Sequence, residues 1–202
     1  MEDNSPVLPL FLFPNIEYLS VLSRYSKVFI EERESFIKQS FRNRFYIYSA
    51  SGALGISVPI VKQSIINNSI SNVEILYSDN WNKKAYRAIE SAYGKSCYFE
   101  YFADEIKPFF FNEYKRLVDL NYDILKYFLK KWEINTELMP TDEFKKNYQI
   151  DFRNGFNTSQ YRNFQTKEYY QCFSEKLGFI NNLSCLDLLF NEGKEGRKII
   201  LV

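Results

Sequence analysis

The opening of the chain constrains its fold more than any other stretch. Residues 8–13, LPLFLF, are apolar and bounded by prolines, which predicts a short buried strand. Pro14-Asn15 then opens a stretch in which Ile16, Leu19 and Leu22 recur every three residues, as one face of a short helix does. KVFI at 27–30 is β-branched and apolar and reads as a second strand. A strand–helix–strand opening of this kind favours a parallel pair in an α/β fold.

Punctuation sets the next elements. Arg44 to Tyr48 and Ala53 to Val61 form the arms of an expected hairpin joined through Ser49-Ala50-Ser51-Gly52. The first arm alternates Phe45 and Ile47 with Tyr46 and Tyr48, and the second stops near Pro59. Gln63 to Asn72 reads as a polar loop and Val73 to Tyr77 as a strand. Residues 80–93 predict a helix with Ala85, Ala88, Ile89, Ala92 and Tyr93 on its apolar face and Gly94 as its C′ residue. Residues 112–132 predict the longest helix, Ile134 to Leu138 a further strand, and Leu183 to Asn191 a short helix closed by Gly193. Residues 141–168 are polar and weakly periodic, as helix fragments and a long loop would be. The expected architecture is one α/β domain over residues 1–202, with a mixed sheet, a βαβ opening and a mostly helical C-terminal half.

Composition excludes whole classes of chemistry. The sequence contains no histidine, which rules out a Ser-His-Asp triad, a Cys-His dyad and a histidine-ligated metal within this chain. Acid–base work must fall to Asp, Glu, Lys, Tyr or Cys. A net charge of +1 argues against general nucleic-acid binding, which needs a basic face. Apolar residues make up 46% of the chain, enough for a packed core and too many for disorder. Cys97, Cys172 and Cys185 show no CxxC spacing, and each is expected to be a small buried hydrophobe. Met1 to Ser5 is acidic and polar rather than a secretory leader, and Val7 to Pro14 is too short to span a bilayer. Together these features predict a cytoplasmic protein with free thiols and no membrane insertion.

Against that near-neutral background, KQSFRNR at 38–44 is a local concentration of donors. Lys38, Arg42 and Arg44 could grip a phosphate or carboxylate, since Arg offers a planar fork and Lys a point charge. In an extended chain these three would share one face, with Gln39 and Asn43 joining them only through a turn. The competing reading is ion pairing to Glu31, Glu32 or Glu34. Asn43 fits a turn cap equally well. Asn121 interrupts an apolar helical stripe and either ties two elements together or faces a polar pocket. Trp81, Tyr93, Tyr98 and Tyr101 could stack on a sugar or base, or simply pack in the core. Asp187 lies among leucines, where burial would raise its pKa and suit a base, yet Ser184-Cys-Leu-Asp187 also fits a capping box. Asn182 and Asn191 could line that region or cap helix ends. Asn15 and Glu17 follow the first strand, where open α/β sheets hold their ligands, although an N-terminal-turn Glu also suits the helix dipole.

Several of these segments carry a collinear likeness: FPNIEYL at 13–19, KQSFRNR at 38–44, LGISVPIVK at 54–62, Trp81 with RAIESAYGKSCYFEYF at 87–102, Leu117 with Asn121, and FINNLSCLDLLFNEG at 179–193. The order resembles the WbqC-like family of bacterial O-antigen and polysaccharide gene clusters, in its shorter branch found in Bacteroidetes. Longer members carry His-Gln-Pro where this chain has Leu12-Phe13-Pro14. The resemblance implies aminoacyl or acyl transfer onto a nucleotide-linked amino sugar, with an acyl or aminoacyl donor and no other cofactor. In that reading Lys38, Arg42 and Arg44 hold the anion, with Asn15, Gln39, Asn43, Trp81, Asn121 and Asn182 as further binding residues. Glu17 or Asp187 takes the proton from the attacking amine. The alternatives are a non-catalytic sugar-nucleotide-binding or scaffold protein, and a nucleotidyl transferase, the last without a glycine-rich phosphate loop. Oligomerisation is left open.

Overall fold

The computed structural model describes residues 4–65 and 69–201. Its opening is the expected parallel unit. Strand β1 (Val7–Pro9), helix α1 (Ile16–Ser23) and strand β2 (Lys27–Glu31) follow in order, with Val7 opposite Phe29. Strand β1 is shorter than the LPLFLF run. After Pro9 the chain leaves the ladder, Leu12 donates to the Phe41 carbonyl, and Phe13 turns with φ 41°, a value no strand residue takes. That turn directs Phe13 into the core against Phe45 and Phe110. In α1, Ile16, Leu19 and Leu22 are buried as their spacing predicts, and the Asn15 side-chain oxygen caps the helix by accepting from the Tyr18 N–H at 3.0 Å.

The strands fall into two sheets, one parallel and one antiparallel. Strand β5 (Glu137–Pro140) pairs parallel with β2, giving the order β1-β2-β5, and lies a few residues beyond its predicted position at 134–138. Strands β3 (Arg44–Ser49) and β4 (Gly52–Ser57) form the expected hairpin, which stops before Pro59. Phe45 and Ile47 face the core. Tyr48, expected on the other face, is buried too, because the C-terminal segment covers it and its hydroxyl donates to the Gly178 carbonyl at 2.5 Å. The predicted strand Val73 to Tyr77 is only a pair of isolated bridges, Ile60 to Ile75 and Glu74 to Arg116. Pro59 has no N–H to extend that ladder. The predicted polar loop contains one-turn 3₁₀ segments at Lys62–Ser64 and Ile70–Asn72, and its residues 66–68 lie outside the described residues.

Helix α2 (Trp81–Tyr93) matches its prediction, but Gly94 keeps a right-handed φ of −57° and is not a left-handed C′ residue. Helices α3 (Phe99–Ile106) and α4 (Pro108–Phe111) occupy a stretch to which the sequence reading assigns nothing. Helix α5 (Leu117–Lys131) starts five residues later than expected, because the chain before it bonds to the 73–75 segment through Ile75 N–H to Lys115 O and Leu117 N–H to Val73 O. Residues 141–168 are the expected long loop, with a single 3₁₀ turn at Tyr161–Asn163. Helices α6 (Ser174–Leu177), α7 (Cys185–Glu192) and α8 (Arg197–Ile200) close the chain. Of the thiols only Cys185 is fully buried; Cys172 is half-buried and Cys97 exposed.

Gly193 ends α7 with φ 58°, and a Cβ there would lie 2.9 Å from the Tyr98 ring. Gly193→Ala should therefore cost about 1–3 kcal/mol, read as a lower urea midpoint at unchanged m.

Candidate functional site

Residues 37–43 form a turn rather than an extended strand, so Lys38, Arg42 and Arg44 do not share one face. Gln39 takes φ 59°, the Ser40 hydroxyl donates to the Ile37 carbonyl at 2.7 Å, and the Asn43 N–H returns to the Ser40 carbonyl. Lys38 stays exposed at the tip. Arg42 points inward and is 3% exposed. Its Nε and Nη2 donate to the two oxygens of Glu34 at 2.6 and 2.7 Å, and Nη2 also reaches the Arg153 carbonyl at 3.3 Å. The ion-pair reading is thus realised for Arg42, with Glu34. Burial pushes the Glu34 carboxyl upward, and Arg42 opposes the shift. Arg42 Nη1, however, makes no hydrogen bond among the described residues.

A second buried arginine lies beside it. Arg153 holds Asp151 through Nε and Nη2, Glu31 through Nη1 at 3.1 Å, and the Lys145 and Lys146 carbonyls at 2.8 and 3.1 Å. Glu31 is the last residue of β2, and it also accepts from Thr141, the residue after β5, at 2.8 Å. The network therefore sits at the carboxyl ends of parallel strands, where open α/β sheets place their ligands.

Above it lies a hollow of about 220 Å³. Lys38, Gln39, Ser40 and Arg42 form one wall, and Asn154, Asn157 and Thr158 the other. Thr158 ties the walls together by donating to the Gln39 carbonyl at 3.3 Å. Asn157 also lines a second hollow, of about 300 Å³, with Glu17, Gln160, Tyr161 and Asn163. Glu17 is fixed there by Asn182. The Glu17 N–H donates to Asn182 Oδ1 at 2.8 Å, and Asn182 Nδ2 donates to Glu17 Oε2 at 2.9 Å and to the Tyr161 carbonyl at 2.7 Å. Partial burial raises the Glu17 pKa, and the Asn182 bond offsets part of the rise. Glu17 Oε1 carries no protein hydrogen bond among the described residues.

The other expected site residues are placed elsewhere. Asn15 caps α1, and Asn43 donates to the Val58 carbonyl at 3.0 Å. Arg44 donates to Ser57 across the hairpin at 2.8 Å and lines neither hollow. Asn121 is a structural tie, its Nδ2 donating to the Arg42 carbonyl at 2.8 Å, and so it supports the turn from below. Trp81 is buried against Tyr77 and Phe110. Tyr101 is 74% exposed rather than packed.

Asp187 lies wholly in the core, away from both hollows. Its carboxylate accepts from Tyr93 at 2.8 Å, Tyr169 at 2.6 Å and Gln171 at 2.9 Å. Burial pushes its pKa up to about 6, against those three donors. The capping box does not form: the Ser184 hydroxyl is unbonded, and Asp187 meets Ser184 only by its own N–H donating to the Ser184 carbonyl at 3.0 Å. The carboxylate is occupied by tertiary donors, so it staples α2, α7 and the 169–171 segment.

Arg153, Asn154, Asn157, Thr158 and Gln160 escape the sequence reading. Their only signal is the density of amides and hydroxyls in 153–163, which lack periodicity. Among the described residues no cluster of His, Cys, Asp and Glu could hold a metal ion.

Residues 11–153 match the WbqC-like protein family. The chain belongs to this family. No curated protein and no solved structure matches it. The region matched to the WbqC-like family contains Glu17, Glu34, the 38–44 turn, Asn121 and Arg153. It ends immediately before the Asn154–Thr158 wall and does not reach Asp187.

Proposed function

We propose that this WbqC-like protein binds a nucleotide-linked amino sugar and transfers an acyl or aminoacyl group to its amine, as a cytoplasmic step in cell-surface polysaccharide synthesis. The observation that carries this reading is the unbonded Nη1 of Arg42, a residue that lines the hollow. A guanidinium locked on two atoms by Glu34, with its third nitrogen unbonded, in a residue that lines the same hollow as Lys38, is preorganised for a phosphate oxygen. A hollow of about 220 Å³ suits a diphosphate rather than a whole nucleotide sugar. The sugar then extends past Asn157 toward Glu17.

In this reading the sugar amine attacks the acyl carbon of the donor, a C–N bond forms, and the donor's leaving group departs with the bonding electrons. Glu17 Oε1 receives the proton that the amine sheds. A carboxylate whose pKa is raised is a stronger base than an ordinary one and fits that role in a chain without histidine.

One observation favours the non-catalytic reading, a sugar-nucleotide-binding or scaffold protein. Arg42 and Arg153 are already matched by Glu34, Asp151 and Glu31, which leaves Lys38 as the uncompensated cation of the anion hollow.

A thermal-shift panel of nucleotide sugars, nucleotides and thioesters separates the outcomes. A nucleotide-linked amino sugar at ~100 times its dissociation constant should raise the melting temperature by roughly 5–10 °C. Lys38→Ala should weaken binding about tenfold to a hundredfold. Glu17→Gln should keep the shift and lose turnover. A shift without turnover from any donor supports the scaffold reading, and no shift from any phosphorylated ligand removes both.

A further inference from the structure

Asn157 lines both the anion hollow and the Glu17 hollow, and no other described residue does. The two hollows differ in charge. Lys38 is the uncompensated cation of the first, and Glu17 is the one charged residue among those that line the second. A ligand that occupies both therefore meets a cation, then Asn157, then a carboxylate.

The hydrogen bonds around Asn157 fix what its side chain can offer at that junction. Oδ1 accepts from the Ser159 N–H at 2.8 Å, which closes an Asx turn. The Asn157 carbonyl accepts from the Gln160 N–H at 3.1 Å. Thr158, the next residue, ties the same turn to the opposite wall through the Gln39 carbonyl. A backbone N–H requires an oxygen as its partner, so the Ser159 bond decides which end of the amide is Oδ1 and which is Nδ2. Nδ2 makes no hydrogen bond among the described residues. The turn itself uses the oxygen alone, a duty that Asp or Ser performs as well. The nitrogen is left for a ligand.

A donor at the junction selects for an acceptor. It cannot pair with an ammonium, which carries donors only. The group that follows the diphosphate must therefore present an oxygen, and the amine must lie further on, at Glu17. The ring oxygen or a hydroxyl of a sugar meets that requirement, whereas a bare diphosphate leaves Nδ2 without a sugar partner.

We propose that Asn157 is a specificity-determining residue of the candidate site, its Nδ2 donating to the first sugar oxygen beyond the diphosphate. It thereby distinguishes a nucleotide sugar from a nucleotide. This inference rests on the proposed function, because the diphosphate must occupy the Lys38 hollow.

Isothermal titration calorimetry on the full chain tests it with uridine diphosphate and uridine diphosphate glucose. The sugar of the second probe carries no amine, so Glu17 gains no ion pair and the comparison isolates Asn157. The ratio of dissociation constants, nucleotide over nucleotide sugar, should fall about threefold to tenfold in Asn157→Ser, the value of one neutral hydrogen bond. The new hydroxyl oxygen can accept the Ser159 N–H in place of Oδ1, so the turn survives. Asn157→Ala, which loses the turn bond as well, should lower the ratio by the same factor. An unchanged ratio in Asn157→Ser, or a fall in Asn157→Ala alone, would overturn the role of Nδ2 while leaving the anion site standing. Absence of binding by both probes in the wild type would remove the proposed function, and the role of Asn157 with it.

Discussion

Arg42→Ala lowers the stability of the protein by about 3–5 kcal/mol, because it leaves the Glu34 carboxylate buried without its partner. The side chains of the pair are 4% and 8% exposed, so water cannot take the place of the missing guanidinium. The loss also releases the Arg153 carbonyl and unseats the 37–43 turn, and the proposed anion binding should disappear with it. Glu34→Ala should cost a similar amount for the converse reason. The double variant Arg42→Met/Glu34→Leu should recover much of the loss, since a buried ion pair is worth little more than well-packed apolar side chains. It should not recover anion binding. Urea unfolding of the four proteins, with a phosphate-ligand titration on each, separates the structural duty of the pair from the duty of Arg42 Nη1. A loss under about 1 kcal/mol for Arg42→Ala, the ordinary value of a solvated pair, would mean that the turn does not depend on Glu34.

The second large effect is a pH dependence centred on Asp187. The folded protein holds the Asp187 proton more tightly than the unfolded chain does, with a pKa of about 6 against an ordinary 3.8. The stability contributed by that proton is complete below the unfolded value and is lost as pH rises through about 6. Between those limits the loss is on the order of 2–3 kcal/mol. Glu17 and Glu34 are also raised and slope the same way, whereas Glu105 and Asp151 are lowered and slope the other way. The comparison is therefore with Asp187→Asn, whose unfolding free energy should fall less between pH 4 and pH 7. Parallel pH profiles for wild type and variant would show that Asp187 titrates as an ordinary carboxylate. Asp187→Ala should be worse at every pH, since it strands the Tyr93 and Tyr169 hydroxyl donors at about 1–3 kcal/mol each, while Gln171 keeps its bond to the Ile180 carbonyl.

Local pattern predicted the elements that local physics controls. The spacing of Ile16, Leu19 and Leu22, the Ser49–Gly52 turn and the apolar face of α2 all appear in the structure. An apolar run does not reveal its own end, which is why LPLFLF looked like a longer strand than Val7–Pro9. The candidate site was legible only in its first half. Lys38 and Arg42 stand out as charges in a neutral chain, and Glu34, eight residues before Arg42, was within reach of inspection. Arg153 lies 111 residues from Arg42, in a loop without period, and nothing local announces that its carbonyl and guanidinium complete the network. Asp187 shows the opposite failure. A Ser-x-x-Asp pattern fits a helix cap, but donors 94 and 18 residues away claim the carboxylate instead.

In the proposed function a phosphate-bearing ligand sits between the 38–42 turn and the 154–158 wall. Backbone amide shift mapping of the isotope-labelled protein, titrated with uridine diphosphate, tests it most directly. Saturable shifts should cluster at residues 37–42 and 154–158, extend to Glu17 when an amino sugar is attached to the diphosphate, and need about tenfold to a hundredfold more ligand in Lys38→Ala. Saturable shifts elsewhere, or an unchanged titration midpoint in Lys38→Ala, would contradict it.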